Sequence, residues 1–281
     1  MAHSASADSS DKTATNQAMP DVQASADSRH IAIDRVGVKD ITYPITLKCP
    51  ATGGEQHTVA QVNMYVSLPH HQKGTHMSRF LEVLNKHHSQ IRSDKIMQVC
   101  HDVRERLEAE EAHIQFTFPY FIHKKAPVTG SPGMLDIEVN FEATSSSITG
   151  NDFVMGLKVP ATSLCPCSKE ISAYGAHNQR CEIEAKVRFA KGEMMWIEEV
   201  FEVMEKSASA PVFAVLKRPD EKWVTEVAYD NPKFVEDIVR DLALGMDSQD
   251  RIVSYEINSE NFESIHNHNA YAYIAKDNRK K

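Results

Sequence analysis

Two thiols and an imidazole stand close together in Ser163-Leu-Cys-Pro-Cys-Ser-Lys-Glu-Ile-Ser-Ala-Tyr-Gly-Ala-His-Asn-Gln-Arg180: Cys165, Cys167 and His177. Thiolate and imidazole are the ligands that zinc and similar divalent ions prefer. A thiolate–imidazole pair alone does not complete a tetrahedral site. Further donors are available in Glu221 and in Glu263-Ser-Ile-His-Asn-His268. The stretch between Cys167 and His177 is polar and carries a glycine, so it reads as a loop rather than a strand or a long helix. The spacing is not that of a paired C-x-x-C finger. A cysteine in a soluble protein is more often a small buried apolar residue than a ligand. Pro166, between the thiols, argues against a regular core strand here.

The elements that must hold these groups are readable from periodicity. Ile41–Leu47 reads as a strand, followed by a turn at Pro50–Gly54. Thr58–Leu68 alternates, with Val62, Met64, Val66 and Leu68 on one face. Ser78 is the expected cap of a helix carrying Phe80, Leu81 and Leu84. Ser93 is the expected cap of a second, with Ile96, Val99, Val103 and Leu107 in one stripe. Two alternating strands follow, around Ile114–Tyr120 and Leu135–Phe141.

The second half repeats this order. Phe153–Leu164 and Arg180–Phe189 read as strands, the latter with Cys181, Ile183, Ala185, Val187 and Phe189 inward. Met194, Ile197, Val200, Phe201 and Met204 form a helical stripe. A loop carrying Lys217-Arg-Pro-Asp-Glu221 leads to Asn231-Pro232, read as a cap with proline at the first helical position. The helix beyond it buries Phe234, Val235, Ile238, Val239, Leu242 and Met246. Strands at Arg251–Ile257 and Ala270–Ile274 close the chain.

The pattern is strand-strand-helix-helix-strand-strand, twice: an α+β architecture of antiparallel sheets with helices on one face. It predicts a first unit over 30–150, a second over 151–276 with most of the chemistry, and a basic tail at 277–281. Residues 1–29 have almost no large apolar groups and are expected to stay unstructured. Open sheets leave edges that can pair between subunits, so an oligomer is expected.

Composition limits the partners. The 281 residues are 41% hydrophobic and 25% charged, enough for a real core, and the formal net charge is -8. That balance disfavours nucleic acid and anionic membrane surfaces. No apolar run approaches the roughly 18 residues of a membrane span. No signal-peptide pattern opens the chain. The five cysteines are odd in number and scattered, which fits a reducing, cytoplasmic setting better than a disulfide framework.

With these motifs laid out, the chain resembles GTP cyclohydrolase I of the bacterial type IB family. The resemblance rests on Lys73-Gly-Thr-His-Met-Ser-Arg-Phe80, Ser163-Leu-Cys-Pro-Cys-Ser-Lys169, Gly175-Ala-His-Asn-Gln-Arg180, Asn231-Pro-Lys-Phe-Val-Glu-Asp237 and Asn261-Phe-Glu-Ser-Ile-His-Asn-His-Asn-Ala270. It implies the tunnelling fold, two tandem units per chain, and an oligomeric barrel: a homotetramer with active sites at subunit interfaces. It also implies conversion of GTP and water to formate and 7,8-dihydroneopterin triphosphate, on the way to folate, with a divalent metal: zinc or manganese, with ferrous iron a further candidate.

Carried over by position, Cys165 and His266 are the first-choice metal ligands. His177 is a ligand or an acid–base group. Glu221 completes the metal shell, with Asp220 and Glu226 as alternatives for its place. Glu236 grips the guanine edge. Without the resemblance, Glu221 and Glu236 read as solvated charges and His177 as an ordinary loop histidine. Two basic clusters, Lys73/His76/Arg79 and His123/Lys124/Lys125, are candidates for the triphosphate. Two rivals remain at this stage: a deazaguanine nitrile reductase of the same fold, with a nucleophilic cysteine and NADPH, and a metal-binding protein without catalysis.

Overall fold

A computed structural model describes residues 21–49, 53–87, 91 and 94–279. In chain order the elements are β1 (Ile33–Cys49), β2 (Gly54–Leu68), α1 (Met77–His87), α2 (Ile96–Arg106), β3 (Glu111–Lys125), β4 (Pro132–Ser146), β5 (Gly150–Leu164), α3 (Pro166–Ile171), β6 (Asn178–Phe189), α4 (Ile197–Lys206), β7 (Ala210–Pro211), α5 (Arg218–Asp230), α6 (Val235–Asp247), β8 (Ile252–Asn261) and β9 (Ala270–Asp277).

The strands form one antiparallel sheet in the order β1-β2-β3-β4-β5-β6-β8-β9, with the short β7 paired to β5. The expected element order therefore recurs in each half, with α3, β7 and α5 added in the second. The halves are not separated by a break in the sheet. β4 and β5 pair from Glu138↔Lys158 to Ser146↔Gly150. An aromatic row crosses the same seam: Phe118–Phe141 at 5.3 Å and Phe141–Phe153 at 5.6 Å between ring centroids, both edge-on. Each such pair contributes about 1 kcal/mol beyond its buried area.

Period-two alternation makes the strands, because it turns every second side chain to the same face. In β6, Cys181, Ile183, Ala185 and Val187 are all buried as expected, while Phe189 is only partly so. The helices cover that face. α2 lies on β3 and β4, α4 on β5, and α6 on β8 and β9. Most of each stripe is the one read from the sequence: Ile96, Val99 and Val103 in α2, Val200, Phe201 and Met204 in α4, Ile238, Val239, Leu242 and Met246 in α6. Phe234, expected to be buried with the last of these, precedes α6 and is exposed, and Met194 precedes α4.

Several local expectations are corrected. Ser78 lies inside α1, which begins at Met77. Ser93 lies outside the described residues, as do positions 50–52 of the expected turn; α2 is preceded by Lys95, which makes no side-chain cap. The Lys217–Glu221 stretch is not a loop: from Arg218 it is the first turn of α5, with Pro219 in the position that needs no amide hydrogen. Asn231 ends α5 rather than starting the next helix, which begins at Val235 after Phe234. Of the segment expected to lack structure, residues 21–29 are described and pair with the chain after β2. The Asp27 amide donates to His71 O at 3.0 Å, and the Lys73 amide to Ser25 O at 3.0 Å.

Candidate functional site

Antiparallel order fixes which loops are neighbours. β5 ends at Leu164 beside the start of β6, in the register Leu164↔Asn178. β8 ends beside the start of β9, in the register Asn261↔Ala270. β6 and β8 are themselves paired, Cys181 with Asn261. The β5–β6 and β8–β9 connections therefore lie side by side at one end of the sheet. The first holds Cys165 and His177, the second His266.

The β5–β6 ladder extends one pair further. The Cys165 amide donates to His177 O at 3.1 Å. The two residues thus stand directly opposite, a placement that sets Cβ atoms on the order of 5 Å apart. Pro166 then starts α3, and Cys165 is its N-cap: the Ser168 amide donates to Cys165 Sγ at 3.4 Å. Ser168 Oγ donates to Cys165 O at 3.1 Å and accepts from the His177 amide at 3.2 Å, so one hydroxyl ties both candidates together. Cys165 is half-buried and Cys167 exposed, whereas Cys100 and Cys181 are buried. Burial pushes both of those thiols up to about 12, which sets them against acting as nucleophiles at neutral pH.

His177 is reached from two further elements. Its Nδ1 lies 3.0 Å from Gln179 Oε1 and 3.2 Å from Ser264 Oγ of the β8–β9 connection. Gln179 Nε2 donates to Glu263 Oε1 and to Ser163 Oγ, each at 3.5 Å. Ser163 also accepts from Asn261 Nδ2 at 3.0 Å. Gln179, Ser163 and Asn261 are buried. None of this polar group stood out in the sequence; the available signal was that Gln179 faces inward in a strand whose other inward residues are apolar. His266 and His268 are exposed and stack on each other, ring centroids 5.1 Å apart.

Glu236 comes to the same end. The Lys233 amide donates to Leu164 O at 3.0 Å and Ser163 Oγ donates to Lys233 O at 3.1 Å, pinning the approach to α6 against the end of β5. Lys233 Nζ is held by Ser207 O at 2.8 Å and Asp241 at 2.7 Å. Glu236 then lies, exposed, in the first turn of α6, whose cap is Asp237 accepting from the Phe234 amide at 3.0 Å.

Glu221 is placed differently. It is exposed in the first turn of α5, while the other end of that helix meets α3 through Lys169 on the Tyr229 ring. Glu221 and Tyr229 are eight positions apart on the helix, about 12 Å along its axis. Among the described residues of one chain, no three His, Cys, Asp or Glu side chains converge as a metal cluster.

Of the alternatives to Glu221, Asp220 is committed elsewhere. It is fully buried and accepts from the amides of Val128, Thr129 and Lys217 at 2.9 Å each, and from Thr129 Oγ1 at 2.7 Å. Burial alone would raise its pKa, but these donors outweigh it and hold the carboxyl well below its ordinary 3.8. Glu226 is exposed beside Lys222 at 3.6 Å. A depressed pKa contributes stability above the unfolded value that is lost as pH falls through the folded one. Asp220→Asn is therefore expected to lower the melting temperature at pH 7 by about 4–8 °C, and the gap between variant and wild type should begin to narrow only below about pH 4. Thermal melts from pH 3 to pH 8 check both.

The basic clusters also separate. Lys73, His76 and Arg79 follow the end of β2, at the opposite end of the sheet from Cys165. β5 alone, running between those ends, is about 50 Å long. These side chains can serve a site at Cys165 only from another copy of the chain. Lys124, at the near end, is paired with Glu205 and donates to Val212 O at 2.7 Å over the Phe213 ring. Burial outweighs the attraction of that pair, lowering the lysine's pKa and raising the glutamate's. That leaves His123 and Lys125 exposed there.

Among solved structures, the chain is similar to the uricase from Arthrobacter globiformis, with a TM-score of 0.54 at 7% identity over 88% of this chain and 94% of that one. It is similar to a uricase from Bacillus fastidious at a TM-score of 0.50, with 9% identity. Identities this low show the fold alone, and it is the tunnelling fold. The sequence then gives the family: residues 19–272 match the model of type I GTP cyclohydrolase folE2, and the chain belongs to that family. GTP cyclohydrolase FolE2 of Nitrosomonas eutropha is 53% identical over 269 residues, 96% of this chain and 100% of that relative. GTP cyclohydrolase FolE2 of Magnetococcus marinus is 54% identical over 258 residues, 91% and 95% of the two chains.

Proposed function

We propose that this chain is a GTP cyclohydrolase, converting GTP and water to formate and 7,8-dihydroneopterin triphosphate for folate synthesis. The observation that carries this reading is the cross-strand pairing of Cys165 with His177 beside the β8–β9 connection, in a chain of the GTP cyclohydrolase family. That membership favours the hydrolase over the nitrile reductase and over a non-catalytic metal protein.

The donor set fits a divalent ion. Sulfur and imidazole suit zinc, and a carboxylate in the set would extend its range to manganese or ferrous iron. Cys165 and His266 are the first-choice ligands, with His177 as ligand or proton carrier and Glu221 as a further oxygen donor. When bound, such an ion makes water acidic enough to act as a nucleophile at neutral pH. The chain's own residues bind and orient. The Glu236 carboxylate accepts from N1–H and the exocyclic amine of guanine, a match adenine lacks. As proton carrier, the alternative to ligation, His177 would exchange protons as the purine ring opens and C8 leaves as formate.

Apolar groups crowd this end of the sheet without cover: Ile171 is 79% exposed, Tyr174 fully so, and Ile265 64%. Together with the open edges of β1 and β9 they support assembly of copies with the site at the junction, a homotetramer in this reading. Among the described residues no helix is long and apolar enough to cross a membrane. Two buried free thiols support a reducing compartment such as the cytoplasm.

Purified chain reconstituted with zinc or manganese should release formate from GTP and yield a pterin that fluoresces on oxidation. Chelation should stop both, and re-adding metal should restore them. Turnover that survives full metal removal would refute the metal-based reading.

A further inference from the structure

We propose that Gln179 is a positioning residue: held by Glu263 and Ser163, it fixes His177 in the tautomer with hydrogen on Nδ1, so that Nε2 carries the lone pair offered to a divalent ion. The inference rests on the proposed metal site and assigns a role to a residue outside its ligand set.

A chain of donors and acceptors runs from Glu263 through Gln179 to the ring. An ionised carboxylate only accepts, so the Gln179 atom facing Glu263 Oε1 must be the amide nitrogen. That nitrogen also reaches Ser163 Oγ, whose own hydrogen goes to Lys233 O. The amide is therefore oriented from behind, and its oxygen is left toward His177 Nδ1 at 3.0 Å. A carbonyl oxygen also only accepts, so Nδ1 must carry the hydrogen. The remaining ring nitrogen, Nε2, is then the basic one. Ser264 Oγ, 3.2 Å from the same Nδ1, can accept a share of that hydrogen and does not reverse the assignment.

Burial gives the arrangement its stiffness. Gln179 is 7% exposed and sits on the inward face of β6, between the ends of β5 and β8. Glu263 lies in the same β8–β9 connection as His266. One amide thus links the imidazole of the first connection to the backbone that carries the second candidate ligand. A histidine ligand oriented through its other ring nitrogen binds metal more tightly, and loss of such a partner weakens affinity about 10–100-fold.

Two substitutions separate positioning from packing. Gln179→Leu keeps an apolar shape in a buried place and removes the acceptor. Gln179→Glu gives up the donor to Glu263 and Ser163 but keeps an acceptor toward Nδ1 whichever oxygen faces it, and it places a charge where packing would not want one. Positioning predicts that the Leu variant loses about 10–100-fold in zinc affinity by chelator competition, while the Glu variant stays within about threefold. A packing role predicts the reverse order, following the melting temperatures.

The second readout needs no metal. In the metal-free full-length protein, at a pH where the ring is neutral, long-range proton–nitrogen correlation spectra should show His177 as the Nδ1–H tautomer. The Leu variant should lose that preference. An Nε2–H signal in the wild type, or wild-type zinc affinity in the Leu variant, would overturn the proposal. If the expected tautomer is present but the wild type takes up no zinc, the metal site itself is wrong and the positioning role falls with it. The tautomer signal tells that failure apart from a misassigned Gln179.

Discussion

Cys165→Ala is expected to reduce GTP turnover by about a thousandfold, the scale of several kcal/mol of lost charge stabilisation, while leaving the fold intact. The side chain is half-buried, and its sulfur accepts one long hydrogen bond, from the Ser168 amide. The bond that pairs the loop with β6 uses the Cys165 amide and the His177 carbonyl, which alanine preserves. Ser168 Oγ still caps the same turn and still receives the His177 amide. The melting temperature should therefore move by no more than about 3 °C. Zinc uptake, measured on the same sample, should fall with activity. Cys167→Ala is the control: its thiol is exposed, and the variant should keep most of its turnover. A Cys165→Ala enzyme working at the wild-type rate would remove the sulfur from the chemistry.

The second large effect is on substrate choice. Glu236→Gln should lower kcat/KM for GTP by about 10²–10⁴, because two hydrogen bonds to a charged acceptor are replaced by a group that turns a donor toward one of them. Inosine triphosphate supplies the internal check. It lacks the exocyclic amine, so the wild type should discriminate against it and the variant should discriminate far less. The helix is not at risk. Glu236 is exposed, and Asp237 provides the cap at the start of α6. Equal kcat/KM for GTP in variant and wild type would mean that Glu236 is the solvated charge its exposed position suggests.

Both candidates sit in short contiguous motifs; Cys165 stands out by residue type, Glu236 only through the family resemblance. Their neighbours do not stand out. Gln179 is two positions from His177 in that motif. Its partners Ser163, Asn261 and Glu263 come from the ends of other strands, and no local pattern reveals such a meeting. Asp220 and Glu221 show the limit more sharply. Side by side in sequence they are interchangeable acids. In the fold, one is sealed under the β3–β4 hairpin by four donors and the other faces solvent. The reading of Lys217–Glu221 as loop failed for a related reason: its proline lies where a helix begins and needs no amide hydrogen, a position that spacing does not distinguish from a turn.

What the sequence determined by itself was the recurring strands and helices of the two halves and their faces, but not α3, β7 or α5. Alternation made the strands, three- and four-residue spacing made the helices, and both follow from backbone geometry acting over a few residues. Only the tertiary structure decided which ends lie together. Burying one face of every strand fixed the registers, and the registers set Cys165 opposite His177, drew His266 and Glu236 to the same end, and sent Lys73, His76 and Arg79 to the other. Register is a long-range choice: a slip of one residue would expose a whole apolar face, so the core selects it, and the core is made of residues far apart in the chain.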